Sequence, residues 1–276
     1  MENTASILIL VSGFAHAVVN AILKAGNDKM SRRALIDGFS ALLLAPAAFL
    51  VPLPTNAWTW LFASAAVHGL YLLALIKSFE QSDMTVAYPI ARGLAPMLAA
   101  TGAVAIFHEP ITIAVAVGIA SIALGVMFIG VSHKMRRSAL LWATLTGTCI
   151  AAYTVIDAQG VRAAPTALSY IVWTFLLLGG ALGTVFALWR GQDFLISAAG
   201  QWKPGLMAGA LSIVTYGFAL LAFRLGATPR LAALRETSIL FGTAIAVIYL
   251  KERLTRLRLI GVLGIAAGAA ILIALR

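Results

Sequence analysis

Apolar residues in this chain come in long runs, and the charged residues, prolines and turn formers gather between them. A bilayer core of about 30 Å takes about 20 helical residues to cross. Runs bounded by polar or turn residues predict ten membrane-spanning helices, at about 5–25, 34–53, 57–76, 85–106, 111–131, 138–158, 167–189, 203–223, 229–249 and 257–275. The first run has neither a basic leader nor a small-residue cleavage site and continues into Lys24, so it reads as a retained helix rather than a secretory signal. The loops are short and leave no room for a soluble catalytic or regulatory domain.

The pattern repeats. Shifting the second half over the first by 143 residues aligns Arg92 with Arg235, Glu109 with Glu252, Thr112 with Thr255, Gly118 with Gly261 and Gly125 with Gly268. Nearby offsets pair His16 with Tyr153, Asn20 with Asp157, and His68-Gly69 with Tyr216-Gly217. Residues 1–137 and 138–276 therefore read as two five-helix repeats. An odd number of spans per repeat places them in opposite orientations, the inverted arrangement of many secondary transporters. The expected fold class is an all-α polytopic membrane protein of ten transmembrane helices in two inverted halves.

Composition supports the membrane assignment. Of the 276 residues 61% are apolar and 11% charged, against about 25% charged in an ordinary soluble domain. The net charge of +10 sits in loops, where it reports topology and not a nucleic-acid partner. Fourteen Lys and Arg fall on one side, from Lys24 to Arg33, at Lys77, from Lys134 to Arg137, at Arg190 and Lys203, and from Lys251 to Arg258; four fall on the other, at Arg162, Arg224, Arg230 and Arg276. The richer side is expected to be cytoplasmic, which puts both termini on the non-cytoplasmic face of a bacterial-type inner membrane. One cysteine, Cys149, allows no disulfide or thiolate metal site within the chain, and there is no HExxH or Walker motif. No metal, cofactor, enzymatic activity or ATP-driven pumping is expected.

Charges inside the spans are the candidates for chemistry. Arg92 and Arg235 each cost about 2.5–3.5 kcal/mol to place mid-membrane on insertion scales, so both should face a cavity, a counter-charge or a ligand. Pro89 and Pro96 flank Arg92, which makes span 4 the expected broken or kinked helix. His16, Asn20 and Lys24 recur at four-residue spacing on span 1, as do Tyr153 and Asp157 on span 6, so each set lies on one helical stripe. Asp157 approaches the end of the membrane where Arg235 and Glu236 enter span 9, and an Asp157–Arg235 ion pair is expected. Asp157, Glu236, Lys24 and Tyr153 are the gating or coupling candidates, with protons the coupling ion to test. His68, Tyr71, Tyr88 and Tyr216, joined by Trp173, are mid-span aromatics with polar tips suited to line a substrate pocket. The other tryptophans fit interfacial belts. Glycines Gly118, Gly125, Gly261, Gly264 and Gly268 mark close helix packing in the last span of each half, within the bundle or against a neighbouring copy.

The strings His16 to Lys24, Ala87 to Pro96, His108-Glu109-Pro110-Ile111-Thr112, Leu234 to Ser238 and Lys251-Glu252-Arg253-Leu254-Thr255 resemble the EamA-type members of the drug/metabolite transporter superfamily, over essentially the whole chain. The resemblance implies a central cavity between spans 1–4 and 6–9, with spans 5 and 10 peripheral. It implies export of small metabolites, with amino acids the best-known cargo in bacteria. The expected protein is a secondary transporter in the lipid bilayer, a monomer or homodimer, with Arg92 or Arg235 receiving a carboxylate. An organic-anion, phosphonate or drug carrier, exporting or importing, is the alternative within transport, and a lipid flippase or non-transporting scaffold the alternative outside it.

Overall fold

The computed structural model describes residues 2–24, 29–81, 84–130, 136–248, 251 and 255–275, and every regular element among them is helical. The helices are α1 (Glu2–Lys24), α2 (Lys29–Leu44), α3 (Trp58–Gln81), α4 (Met84–Phe107), α5 (Ile113–Gly130), α6 (Arg137–Ala163), α7 (Ala167–Arg190), α8 (Gln192–Leu225), α9 (Thr228–Arg235), α10 (Ser238–Ile248) and α11 (Arg256–Ala274), with a short 3-10 helix at Ala45–Phe49. Among the described residues eight segments are long and apolar enough to cross a membrane, one of them being α9 and α10 together as Thr228–Ile248; α5 contributes a shorter apolar stretch, Ile113–Ile129. The chain is a multi-pass membrane protein.

Four spans differ from the sequence expectation. Span 2 starts earlier, because Lys29, Arg32 and Arg33 join the helix, and it tightens at Ala45, where Pro46 enters the 3-10 turn. Span 8 begins in polar sequence at Gln192 and carries Pro204 inside one 34-residue helix. Span 4, expected to be broken or kinked, is unbroken, one continuous helix containing both Pro89 and Pro96. The break falls in span 9 instead. There Glu236 and Thr237 form a turn in which their backbone N–H groups donate to the carbonyls of Ala233 and Leu234, and α10 starts afresh at Ser238.

The two Glu-x-x-Thr strings have a local explanation. The Thr112 hydroxyl accepts from the Val115 N–H at 3.2 Å and so caps α5, while Thr255 accepts from Arg258 N–H at 3.3 Å and caps α11. At each site the chain turns through a non-glycine residue with positive φ, His108 and Lys251, both at 53°. These two residues stand 143 positions apart.

Packing interleaves residues 1–137 with 138–276. The largest interfaces are α5 with α11, α3 with α6, α1 with α8, α4 with α6, and α2 with α7 and α8. The α5–α11 contact is backbone on backbone. A Cβ placed on Gly125 would lie 2.6 Å from the Gly261 carbonyl oxygen, and one on Gly268 would lie 2.6 Å from that of Gly118. Of the two roles foreseen for this small-residue face, the fold uses it to close the bundle. The main apolar core gathers Ile9, Leu61, Ile122, Tyr170, Leu220, Phe223, Leu231 and Leu234, from α1, α3, α5, α7, α8 and α9.

Candidate functional site

Most site residues ride on long apolar helices, while Arg235 comes from the short α9, which also carries Thr228 and Arg230, and Glu236 from the turn after it. Arg92 on α4 and Glu236 at the α9–α10 break meet with Nε to Oε2 at 2.9 Å, their side chains 6% and 4% exposed. The contact is close in distance but off-line for a hydrogen bond between those two atoms, so charge attraction holds it. Arg92 also donates from Nη2 to the Ser238 hydroxyl at 3.0 Å, at the first residue of α10. The arginine thus joins the first half to both sides of the break in the second. Pro96 cannot donate to the carbonyl of Arg92, so polar backbone faces the pair as well.

Arg235 lies next door. Its guanidinium sits 5.1 Å from the centre of the Tyr216 ring, a cation–π contact, and its Nε is buried with no hydrogen-bond partner among the described residues. Arg92, Arg235 and Glu236 line one narrow cavity with Pro96, Ile150 and Thr154. Its space at water's radius is about 10 Å³, which fits one water molecule and not a metabolite. Glu236 and the half-buried His16 of α1 both lie within electrostatic reach of the two arginines.

Asp157 does not pair with Arg235, contrary to the sequence expectation. Fully buried, its carboxylate accepts the Tyr170 hydroxyl at 2.7 Å through Oδ1 and the Tyr216 hydroxyl through Oδ2. Tyr216 therefore stands between the two charges, its hydroxyl on Asp157 and its ring under Arg235. Sequence spacing placed the acid and the base near one another but could not show the phenol that separates them. Tyr216→Phe removes one of the two donors of the buried Asp157 and is expected to lower thermal stability by about 1–3 kcal/mol and to lower transport in the protein that still folds; unchanged transport in folded protein would take Tyr216 out of the site.

An aromatic box adjoins Tyr216. His68 stacks on Tyr153 with centroids 4.0 Å apart and planes 22° from parallel, and stands edge-on to Tyr216 at 6.1 Å and to Tyr71 at 6.5 Å. The His68 Nδ1 lies 2.9 Å from the Ser64 carbonyl. A carbonyl only accepts, so Nδ1 carries the proton and Nε2 is left as an acceptor in the neutral ring. Trp173, expected in the pocket, packs edge-on against Trp58 at 5.1 Å instead, and Phe175 takes the place beside Tyr216 at 6.3 Å. Asn20 is half-buried on α1. The side chains of Lys24 and Tyr88 lie outside the described residues.

The structure thus brings Arg92, Arg235, Glu236, Asp157, Tyr153, Tyr216, His68 and Tyr71 together across five helices. Three participants were missed: Tyr170 and Ser238, which carry no pattern of their own, and Glu109, whose alignment with Glu252 was the available signal. Among the described residues no group of three His, Cys, Asp or Glu could hold a metal ion.

A model of the EamA-like transporter family matches residues 137–274. No curated protein shows significant similarity in sequence. Among solved structures, one crystal structure of a protein superposes with a TM-score of 0.69 at 16% identity, over 97% of this chain and 94% of that one. At that identity the likeness shows the fold alone.

Proposed function

The chain belongs to the EamA-like transporter family, and from that premise we propose that it is a secondary carrier of small zwitterionic or anionic metabolites, amino acids foremost, working outward by alternating access. The reading takes ten spans as two inverted five-helix repeats. Three observations support it: the interfaces come in pairs, α1–α8 with α3–α6 and α4–α6 with α1 against α9 and α10; α5–α11 and α2–α7 join equivalent helices; and the capped turns at His108 and Lys251 match at the repeat offset.

The observation that carries the substrate class is the inequality of the two arginines. Arg92 pairs with the Glu236 carboxylate and donates to Ser238, whereas Arg235, which forms no ion pair among the described residues, rests on the ring of Tyr216. Arg235 is thus the cation that takes a substrate carboxylate, through the fixed fork of a guanidinium. The box of His68, Tyr71, Tyr153 and Tyr216 takes the side chain. Binding at Arg235 draws on the ring contact with Tyr216 and hence on Asp157, which links substrate to the coupling candidates. Residues 24–33, 134–137 and 251–258 would face the cytoplasm of a bacterial-type inner membrane, with protons as the coupling ion and a monomer or homodimer as the unit.

The test is counterflow in proteoliposomes loaded with amino acids and organic anions, read by mass spectrometry with and without a pH gradient. Saturable exchange of neutral amino acids, lost in Arg235→Ala, is the expected result. Exchange confined to phosphonates or other anions would move the assignment to an organic-anion or drug carrier. No exchange by folded protein would leave a lipid flippase or scaffold.

A further inference from the structure

A second cluster of charge lies at the ends of the helices, away from the two central arginines. Glu109, in the turn between α4 and α5, accepts from the Arg162 Nη1 at 2.6 Å and from the Thr228 hydroxyl at 2.8 Å through Oε1, with Gln159 Nε2 at 3.3 Å on the same oxygen. Its Oε2 accepts from the backbone N–H of Thr228 at 2.7 Å, at the first turn of α9. Arg162 continues outward, donating from Nε to the Phe223 carbonyl at 2.9 Å and from Nη2 to the Gly226 carbonyl at 2.8 Å and the Thr228 hydroxyl at 3.0 Å. One carboxylate from residues 1–137 therefore holds the C-terminal end of α6 and the N-terminal end of α9, and Arg162 in turn ties α6 to the C-terminal end of α8, all from residues 138–276.

We propose that Glu109 with Arg162 and Thr228 is the latch that keeps this end of the molecule, the one bearing the N-terminus of α1 and the C-terminus of α11, shut between transport steps. The inference rests on the alternating-access reading above. Two physical features make the cluster a latch and not a fixed strut. The contacts that Glu109 itself makes all cross from the α4–α5 turn to α6 and α9, while the bonds of Arg162 to Phe223, Gly226 and Thr228 stay within residues 138–276, so a motion that separates that turn from the ends of α6 and α9 must break the Glu109 contacts. Its charges are also partly wet, with Arg162 28% exposed and Glu109 11%, in contrast to Arg92 and Glu236. Water can replace each lost partner as the latch opens, so separating these charges costs far less than separating a dry pair. Releasing Glu109 frees the ends of α6 and α9 from the α4–α5 turn, including the N–H of Thr228 at the start of α9, the short helix that delivers Arg235 and Glu236 to the central cavity. The latch and the central site thus share one rigid piece eight residues long.

Spin labels on Ile113→Cys at the start of α5 and Leu168→Cys at the start of α7, both exposed positions, in a Cys149→Ala background, report the separation of the halves at this end. Double electron–electron resonance on the otherwise intact latch is expected to give mainly one short-distance population. Glu109→Gln, which keeps an acceptor but loses the charge, and Thr228→Val, which removes a single hydroxyl, are each expected to move a substantial fraction to distances longer by about one helical turn, roughly 5 Å, with Glu109→Gln the larger. Size-exclusion profiles identify any variant that fails to fold, and Thr228→Val, the gentler change, still decides the matter. An unchanged short population in folded Glu109→Gln or Thr228→Val protein overturns the proposal. The distances need no substrate, so a latch that opens in protein that moves nothing would sink the transport reading and leave the latch standing.

Discussion

Arg92→Met is expected to lower thermal stability sharply and abolish counterflow, and adding Glu236→Gln is expected to restore the stability without the transport. The single variant leaves Glu236 charged in a site where it is 3% exposed. Removing one partner of a buried pair costs roughly 3–5 kcal/mol because the remaining charge is left uncompensated, although Arg235 close by recovers part of that loss. Neutralising Glu236 as well removes the stranded charge, so the double variant should melt near the parent temperature. Transport needs the pair itself, which ties α4 to both sides of the α9–α10 break. Melting curves and counterflow on the same preparations separate the two roles. Parent-like exchange in the double variant would reduce Arg92 and Glu236 to a structural strut.

The second large effect is expected at Gly125. Replacing it by valine puts a Cβ 2.6 Å from the Gly261 carbonyl oxygen and 2.8 Å from the Ile265 nitrogen. Both obstacles are backbone and cannot swing aside as a side chain would, so α5 and α11 must part along their shared face. Overpacking of this kind costs about 1–3 kcal/mol where side chains can adjust, and a rigid neighbour puts Gly125→Val at or above the top of that range. Loss of a monodisperse peak after extraction is the expected observation. Gly180→Ala, where a Cβ meets nothing within 4 Å, is the matched control and should behave as the parent. Equal behaviour of the two variants would contradict the close α5–α11 contact.

Much of the helical architecture could be read from hydropathy alone, because a segment crossing lipid must satisfy its own backbone and therefore runs apolar for its full length. Arg92, Arg235, Asp157 and Glu236 stood out for the same reason, since each is costly in that setting. Their pairing did not follow, because pairing depends on helix rotation and on third parties such as Tyr216, which spacing along one helix does not report. The location of the break was misjudged from the prolines. Pro89 and Pro96 are absorbed within α4, whereas the interruption at Glu236-Thr237 arises where charged and hydroxyl side chains meet Arg92 and contains no proline at all. Trp173 was misplaced because its ring, mid-helix by count, turns toward Trp58. Glu109 was noticed only as half of a repeated string, and its role lay in partners 50 and more residues away.

The interleaving of the halves has a consequence for how the protein is made. α1 awaits α8, α3 awaits α6, and α5 meets its main partner only when α11, the last helix, has been synthesised. Throughout translation the first five helices sit in the bilayer with their small-residue and charged faces uncovered, among them Gly118, Gly125 and Arg92. The order of synthesis therefore sets the order of closure, and a ribosome that stalls before residue 256 leaves α5 without its main partner.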